Sequence, residues 1–256
     1  MSTASRPYIL QESSWNNLKG FQFETAILPW GATEAHNYHL PYGTDNYQVQ
    51  YVAEKTAELA WGKGAKLTVL PAIHYGVNTG QLDINLCMNL NPSTQLAILK
   101  DICEVLTRHR IKKLVILNGH GANNFIAIIR ELYILFPDLF VTVINWFQAS
   151  KKDMFQEPGD HADEMETSVM MHIMPHLVDS LEIAGDGVTK KFNLKGFKEG
   201  WAWSQRPWTK ITKDTGSGNP FFATQEKGKL FLQNTIDNIA DFLYELTINP
   251  IDNIIK

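Results

Sequence analysis

Apolar residues in this chain fall in short continuous runs separated by stretches of helical period. Thr25-Ala26-Ile27-Leu28, Lys66 to Leu70, Lys113 to Leu117 and Phe140 to Trp146 are brief and mostly apolar, the pattern of strands covered on both faces. Between and after them come helical patterns. One runs from about Asp45 to Leu59, with Val49, Val52, Ala53 and Thr56 or Ala57 inward, and Gly62 and Gly64 end it. Others run from Asn91 to about His109 with Pro92 in the first turn, from Phe125 to Phe136, from Asp160 to about His172 before Pro175, and from Ala223 to Leu246. Ser13 to Leu18 predicts a short capped helix whose apolar residues enter the core, and Thr44 predicts a helix cap. Little is assigned between Leu181 and Trp208, and the tail to Lys256 is expected to be ordered by packing. Strands alternating with helices predict an α/β fold: one domain over residues 1–256, with a mainly parallel central sheet and helices on both faces.

The polar residues that follow these runs change the picture. Glu34 and His36 come just after the first strand, and a turn marked by Pro41 and Gly43 delivers Asp45 at a helix start. Asn118-Gly119-His120-Gly121-Ala122 follows the third strand, and Asp160-His161 with Glu166 opens a helix. Singly, an Asp or His at an element end is more often a cap or a surface residue. Together, Glu34, His36, Asp45, His120 and Glu166 are three carboxylates and two imidazoles at the carboxyl ends of strands, where parallel sheets bind ligands. Five such donors, with one carboxylate able to bridge, suit two divalent cations ~3.5–4 Å apart. Zinc, manganese or both fit oxygen and nitrogen donors, with iron a further candidate. A Gly-x-Ser-x-Gly nucleophile turn and a Gly-x-Gly-x-x-Gly dinucleotide turn are both absent. The loop Val77 to Leu90, rich in Asn and without a period, is expected to lie over the site.

Composition narrows the classes. The chain has 256 residues, 44% hydrophobic and 20% charged, enough for one substantial core. Its net charge of −4, without a long basic block, argues against a nucleic-acid partner or an anionic membrane surface. No run approaches the ~18 apolar residues of a membrane span, and Met1 to Leu10 lacks a signal-peptide core. Cys87 and Cys103 are too few for a disulfide framework and read as reduced thiols, which points to the cytoplasm.

The Gly-x-x-Glu-x-His loop ending in Gly43-Thr44-Asp45, the Asn118-Gly-His-Gly turn and the His161-Ala-x-x-x-Glu166-Thr-Ser helix start resemble the creatininase (creatinine amidohydrolase) family. So does Thr215-Gly-Ser-Gly-Asn-Pro220, followed by Ala223-Thr224 and Glu226-Lys227-Gly228. The matches run in order over about residues 10 to 240. The resemblance implies a metal-dependent hydrolase of C–N bonds other than peptide bonds, acting on a small cyclic or formyl amide. It also implies a binuclear zinc or manganese centre and a homo-oligomer, usually a hexamer. By the same resemblance Glu34 and His120 hold one ion, His36 and Glu166 the other, and Asp45 bridges them. His161 is similar to the family's catalytic histidine, and Asp160 stands where creatininase has a Glu. Ala122 replaces a metal-binding Glu of creatininase, with Glu166 as substitute ligand, and the Gly80 to Leu90 loop departs from the family's substrate loop. These departures put creatinine in doubt as the substrate. A non-catalytic, metal-dependent binding protein on the same fold is the alternative.

Other residues carry weaker signals. Trp201 and Trp203, with Trp208, Arg206 and Lys210 nearby, could cover a planar substrate, though an aromatic subunit contact explains them as well. His74 either lines the pocket or caps a strand. His39 reads as outer support for the ligands, His172 and His176 as a helix end, and Asn118 as the residue that fixes its turn.

Overall fold

The computed structural model describes residues 6–254, so the first five residues and the last two of the tail lie outside the described residues. Each of the four apolar runs forms a strand: β1 (Thr25–Trp30), β2 (Leu67–Val69), β3 (Lys113–Asn118) and β4 (Phe140–Asn145). They pair in parallel in the order β2-β1-β3-β4. Ile27 sits opposite Val69 on one side and Val115 on the other, and Leu117 opposite Ile144. The helices are α1 (Trp15–Leu18), α2 (Thr44–Gly62), α3 (Pro92–Arg108), α4 (Phe125–Leu135), α5 (Glu164–Ile173), α6 (Lys195–Lys198), α7 (Trp208–Ile211) and α8 (Gln225–Ile248).

Alternation along the central strands divides the core in two, because successive side chains point to opposite faces. Ile27, Val115 and Leu117 pack with Val49, Val52, Ala53 and Ala57 of α2, Val169 of α5, and Phe231 and Ile239 of α8. Ala26, Leu28, Trp30, Leu114 and Ile116 pack with Leu99 and Cys103 of α3 and Phe125, Ile128 and Leu132 of α4. Helices therefore cover both faces, as expected from strands that are apolar throughout.

The strand order places the functional crevice. From β1 the chain goes to β2 on one side, then crosses to β3 on the other side of β1. The loops leaving β1 and β3 therefore diverge above their carboxyl ends, the switch point at which open parallel sheets bind ligands. Glu34 and His36 follow β1, and His120 follows β3.

Some local expectations are corrected. Trp15 in α1 is 79% exposed rather than core, since a single helical turn offers no face wide enough to bury it. Thr44 does not cap α2: it is the helix's first residue, and its hydroxyl donates to the Pro41 carbonyl. The helix expected from Asp160 starts at Glu164, because the Asp163 side chain accepts the Glu166 N–H and caps it. The unassigned stretch from Leu181 to Trp208 contains the one-turn helix α6, and the one-turn helix α7 begins at its end. Among the described residues, no helix is long and apolar enough to cross a membrane.

Candidate metal centre

Four segments deliver the donors. The loop after β1 carries Glu34 and His36, the first turn of α2 carries Asp45, the turn after β3 carries His120, and the first turn of α5 carries Glu166. Close backbone approach makes this possible. A Cβ at Gly119 would lie 2.8 Å from the Val49 Cβ and 3.1 Å from the Asp45 carbonyl, so only glycine lets β3 end against the start of α2. Asn118 then fixes the turn, donating to the His120 carbonyl (2.9 Å) and accepting the His120 N–H (3.2 Å).

Asp45 occupies the middle of the cluster. Its Oδ1 lies 3.1 Å from His36 Nε2, and its Oδ2 lies 2.9 Å from His120 Nδ1. Glu34 Oε1 is 2.8 Å from the same His120 nitrogen, and Glu166 Oε2 is 3.9 Å from His36 Nε2. Two triads share Asp45, one with Glu34 and His120, the other with His36 and Glu166, and each has donor atoms within 4.8 Å of one another. A third group joins Glu34, His36 and His161. Glu34 and His36 are wholly buried, and Asp45 is 1% exposed.

Backbone carbonyls orient the imidazoles. A carbonyl only accepts, so the ring nitrogen facing it must carry the proton. His36 donates from Nδ1 to the Glu34 carbonyl (3.1 Å), His120 from Nε2 to the Val77 carbonyl (3.1 Å), and His161 from Nε2 to the Ala35 carbonyl (2.8 Å). Each opposite nitrogen is turned into the cluster. Glu34 Oε1 and Asp45 Oδ2 are buried without a hydrogen-bond partner. Burying anionic oxygens unpartnered is costly, and a cation relieves that cost. The donor set therefore fits divalent metal ions.

Charge coupling within the cluster is strong. Burial opposes a charge on His36, but Asp45, helped by Glu166 and Glu34, outweighs it and raises the imidazole to about 10. His120 is likewise raised against burial by Glu34 and Asp45. For Asp45, the neighbouring His36 and His120 overcome burial and hold the carboxyl below its ordinary range. Burial, with Asp45 and Asp163 close by, pushes Glu166 up to about 8. His161 moves down, first from burial and then from the charge on His36, so it is neutral near pH 7.

Ala162 takes a left-handed backbone, φ +49°, rare for alanine. The turn it makes lets His161 and Glu166 both face the cluster, and its N–H donates to Glu166 Oε2. Asp160 is not brought in. Its carboxylate is 56% exposed and pairs with Arg206 at 2.9 Å, so the catalytic position expected for it is corrected to an outward-facing one. His74 is exposed and contributes through its carbonyl, which accepts from Thr33 Oγ1 at 2.8 Å. Trp201 and Trp203 are 73% and 83% exposed, and Trp201 donates to Glu199 rather than lining the cluster. Buried Trp208 lies against the His161 ring instead, with centroids 4.9 Å apart, and Arg206 covers its outer side. His39 is buried with Nε2 2.8 Å from the Thr167 hydroxyl, and burial, then His36, lowers it to about 4. Sequence reasoning missed Gln81, whose side-chain amide donates to Glu34 Oε2.

A family model described as Creatininase, creatinine amidohydrolase, matches residues 11–243. The chain belongs to the creatininase family. A solved structure of a putative creatinine amidohydrolase from Bacteroides fragilis is 40% identical, with a TM-score of 0.89, covering 96% of this chain and 98% of that one. The creatinine amidohydrolase of Pseudomonas putida is 27% identical over 241 residues, 86% of this chain and 88% of that protein. The 3-dehydro-scyllo-inosose hydrolase of Thermotoga maritima is 27% identical over 187 residues, 68% of this chain, and the match spans 58% of its length. Solved creatininases sharing the fold include a Zn–Zn form and a manganese form, both 24% identical, with TM-scores of 0.78 and 0.77. The resemblance read from the sequence motifs and the α/β fold predicted from alternating strands and helices are both borne out, and this creatininase-family protein is a hydrolase by membership.

Proposed function

We propose that this creatininase-family hydrolase cleaves a non-peptide C–N bond of a small cyclic or formyl amide, using two divalent cations. Glu34, Asp45 and His120 would hold one ion and His36, Asp45 and Glu166 the other, with zinc or manganese as the metal. The observation that carries this reading is the placement of Asp45, whose two oxygens face His36 and His120 separately. Bound there, the cations would bring a water's pKa toward ~7 and polarise the substrate carbonyl.

The chain's own residues handle the protons. His161 is pinned through Nε2–H to the Ala35 carbonyl, and its Nδ1, 3.8 Å from Glu34 Oε1, is free to accept. A neutral imidazole there takes a proton from the attacking water and gives it to the departing nitrogen, as general base and then acid. Trp208 covers that ring and keeps bulk water from it. A formyl amide would give formate and an amine, and a cyclic amide would open to one chain bearing both a carboxylate and an amine.

Substrate identity is open to a class beyond creatinine. A relative at the same 27% identity as the creatinine amidohydrolase is named for an inosose, and by the motif resemblance Ala122 and the loop over residues 80–90 depart from creatininase. The test loads the protein with zinc or manganese and assays creatinine, cyclic amides, formyl amides and an inosose. Turnover of an amide with two ions per chain is the expected result. Two ions per chain with turnover of no amide would overturn the amide reading: cleavage of the inosose alone would move the substrate class, and no turnover at all would favour a binding protein.

A further inference from the structure

We infer that Gln81 is a positioning residue that holds Glu34 to single-oxygen ligation at the cation shared with Asp45 and His120. The inference rests on the metal reading above and concerns the loop over residues 80–90.

Gln81 is 3% exposed, and its side chain has one arrangement that satisfies its neighbours. A carboxylate only accepts, so the Gln81 amide nitrogen must face Glu34, and it donates to Glu34 Oε2. That leaves the Gln81 oxygen facing the Cys87 thiol, which donates to it at 3.4 Å. The Cys87 sulfur in turn accepts the Ala35 N–H at 3.2 Å. Glu34 is thus tied through Gln81 and Cys87 to the backbone of the residue that follows it. The far side of the loop is clamped as well. The Trp208 N–H donates to the Gly80 carbonyl at 3.0 Å, and a Cβ at Gly80 would lie 2.2 Å from the Arg206 carbonyl oxygen.

The two oxygens of Glu34 therefore have different fates. Oε2 is occupied by Gln81, whereas Oε1, beside His120 Nδ1, has no hydrogen-bond partner. A carboxylate anchored in this way offers one oxygen to a cation and leaves a coordination position for water or substrate. Groups that orient a ligand typically carry ~10–100-fold in metal affinity.

The test compares zinc binding by wild type, Gln81→Met and Gln81→Asn, using calorimetry and the visible spectrum of the cobalt-substituted protein. Methionine keeps the length without the donor, and asparagine keeps the donor but is one methylene too short to reach. Each variant should bind one ion ~10–100-fold more weakly, keep the other within a few-fold, shift the cobalt bands, and leave the melting point of the metal-free protein within about two degrees of wild type. Unchanged affinity and spectrum in either folded variant would overturn the role. So would weakening of both ions in step with a lower metal-free melting point, because that marks a structural residue. Failure of wild type itself to bind two ions would sink the functional reading instead.

Discussion

Replacing Asp45 by asparagine should weaken both cations at once. The substitution keeps the shape of the side chain but exchanges one anionic oxygen for an NH2 donor. Since Oδ1 and Oδ2 face His36 and His120 at 3.1 and 2.9 Å, each triad loses either its shared ligand or the negative charge on it. Zinc held by four ligands in small structural sites gains ~10–16 kcal/mol, or ~3 kcal/mol per ligand. That corresponds to roughly 100-fold in affinity for each ion. Loss of one of the three carboxylates also leaves two negative charges to face two divalent cations. The assay is zinc titration by calorimetry with metal content after dialysis, beside a Glu34→Gln control. The control should weaken mainly the ion beside His120, because Glu34 shares a triad with Asp45 and His120 but not with Glu166. One ion kept at wild-type affinity in the Asp45 variant would refute the bridging argument.

Three further outcomes follow from the same structure. With His36 at about 10 and Glu166 at about 8, both retain protons near pH 7 in the metal-free chain, so cation binding must release them and affinity should rise with pH from about 6 to 8. Both folded-state values lie above the ordinary 6.5 and 4.5, so the stability these protons supply is complete below those values and is lost as pH rises through about 8 and about 10. The metal-free melting point should therefore fall across that window, and a flat or rising profile would contradict the assignment. Separately, Lys227 pairs with the fully buried carboxylate of Glu164, which also accepts the Gln156 and Glu157 N–H groups. Lys227→Met should cost ~1–3 kcal/mol in denaturant unfolding, the remaining amide donors limiting the loss; a change under ~0.5 kcal/mol would argue against the pair.

The sheet was legible because its strands are apolar on both faces, which leaves β1, β3 and β4 as short uninterrupted runs. The donors were legible for a related reason: Glu34, His36 and His120 follow strand ends, where a parallel sheet exposes polar side chains, and Asp45 and Glu166 lie in the first turns of helices. What escaped depends on contacts between distant segments. Gln81 sits in a stretch without a period, and only the clamp by residues 206–208 and Cys87 brings its amide to Glu34. The left-handed turn at Ala162 carries no glycine to announce it, yet it turns His161 inward while Asp160 faces Arg206. Trp15 looked like core by composition, but a helix of one turn cannot shield it.

Anomalous diffraction from crystals grown with zinc or manganese tests the central claim most directly. The account predicts two peaks ~3.5–4 Å apart on either side of the Asp45 carboxylate, one beside Glu34 and His120 and the other beside His36 and Glu166. A single peak, or metal bound away from Asp45, would contradict it.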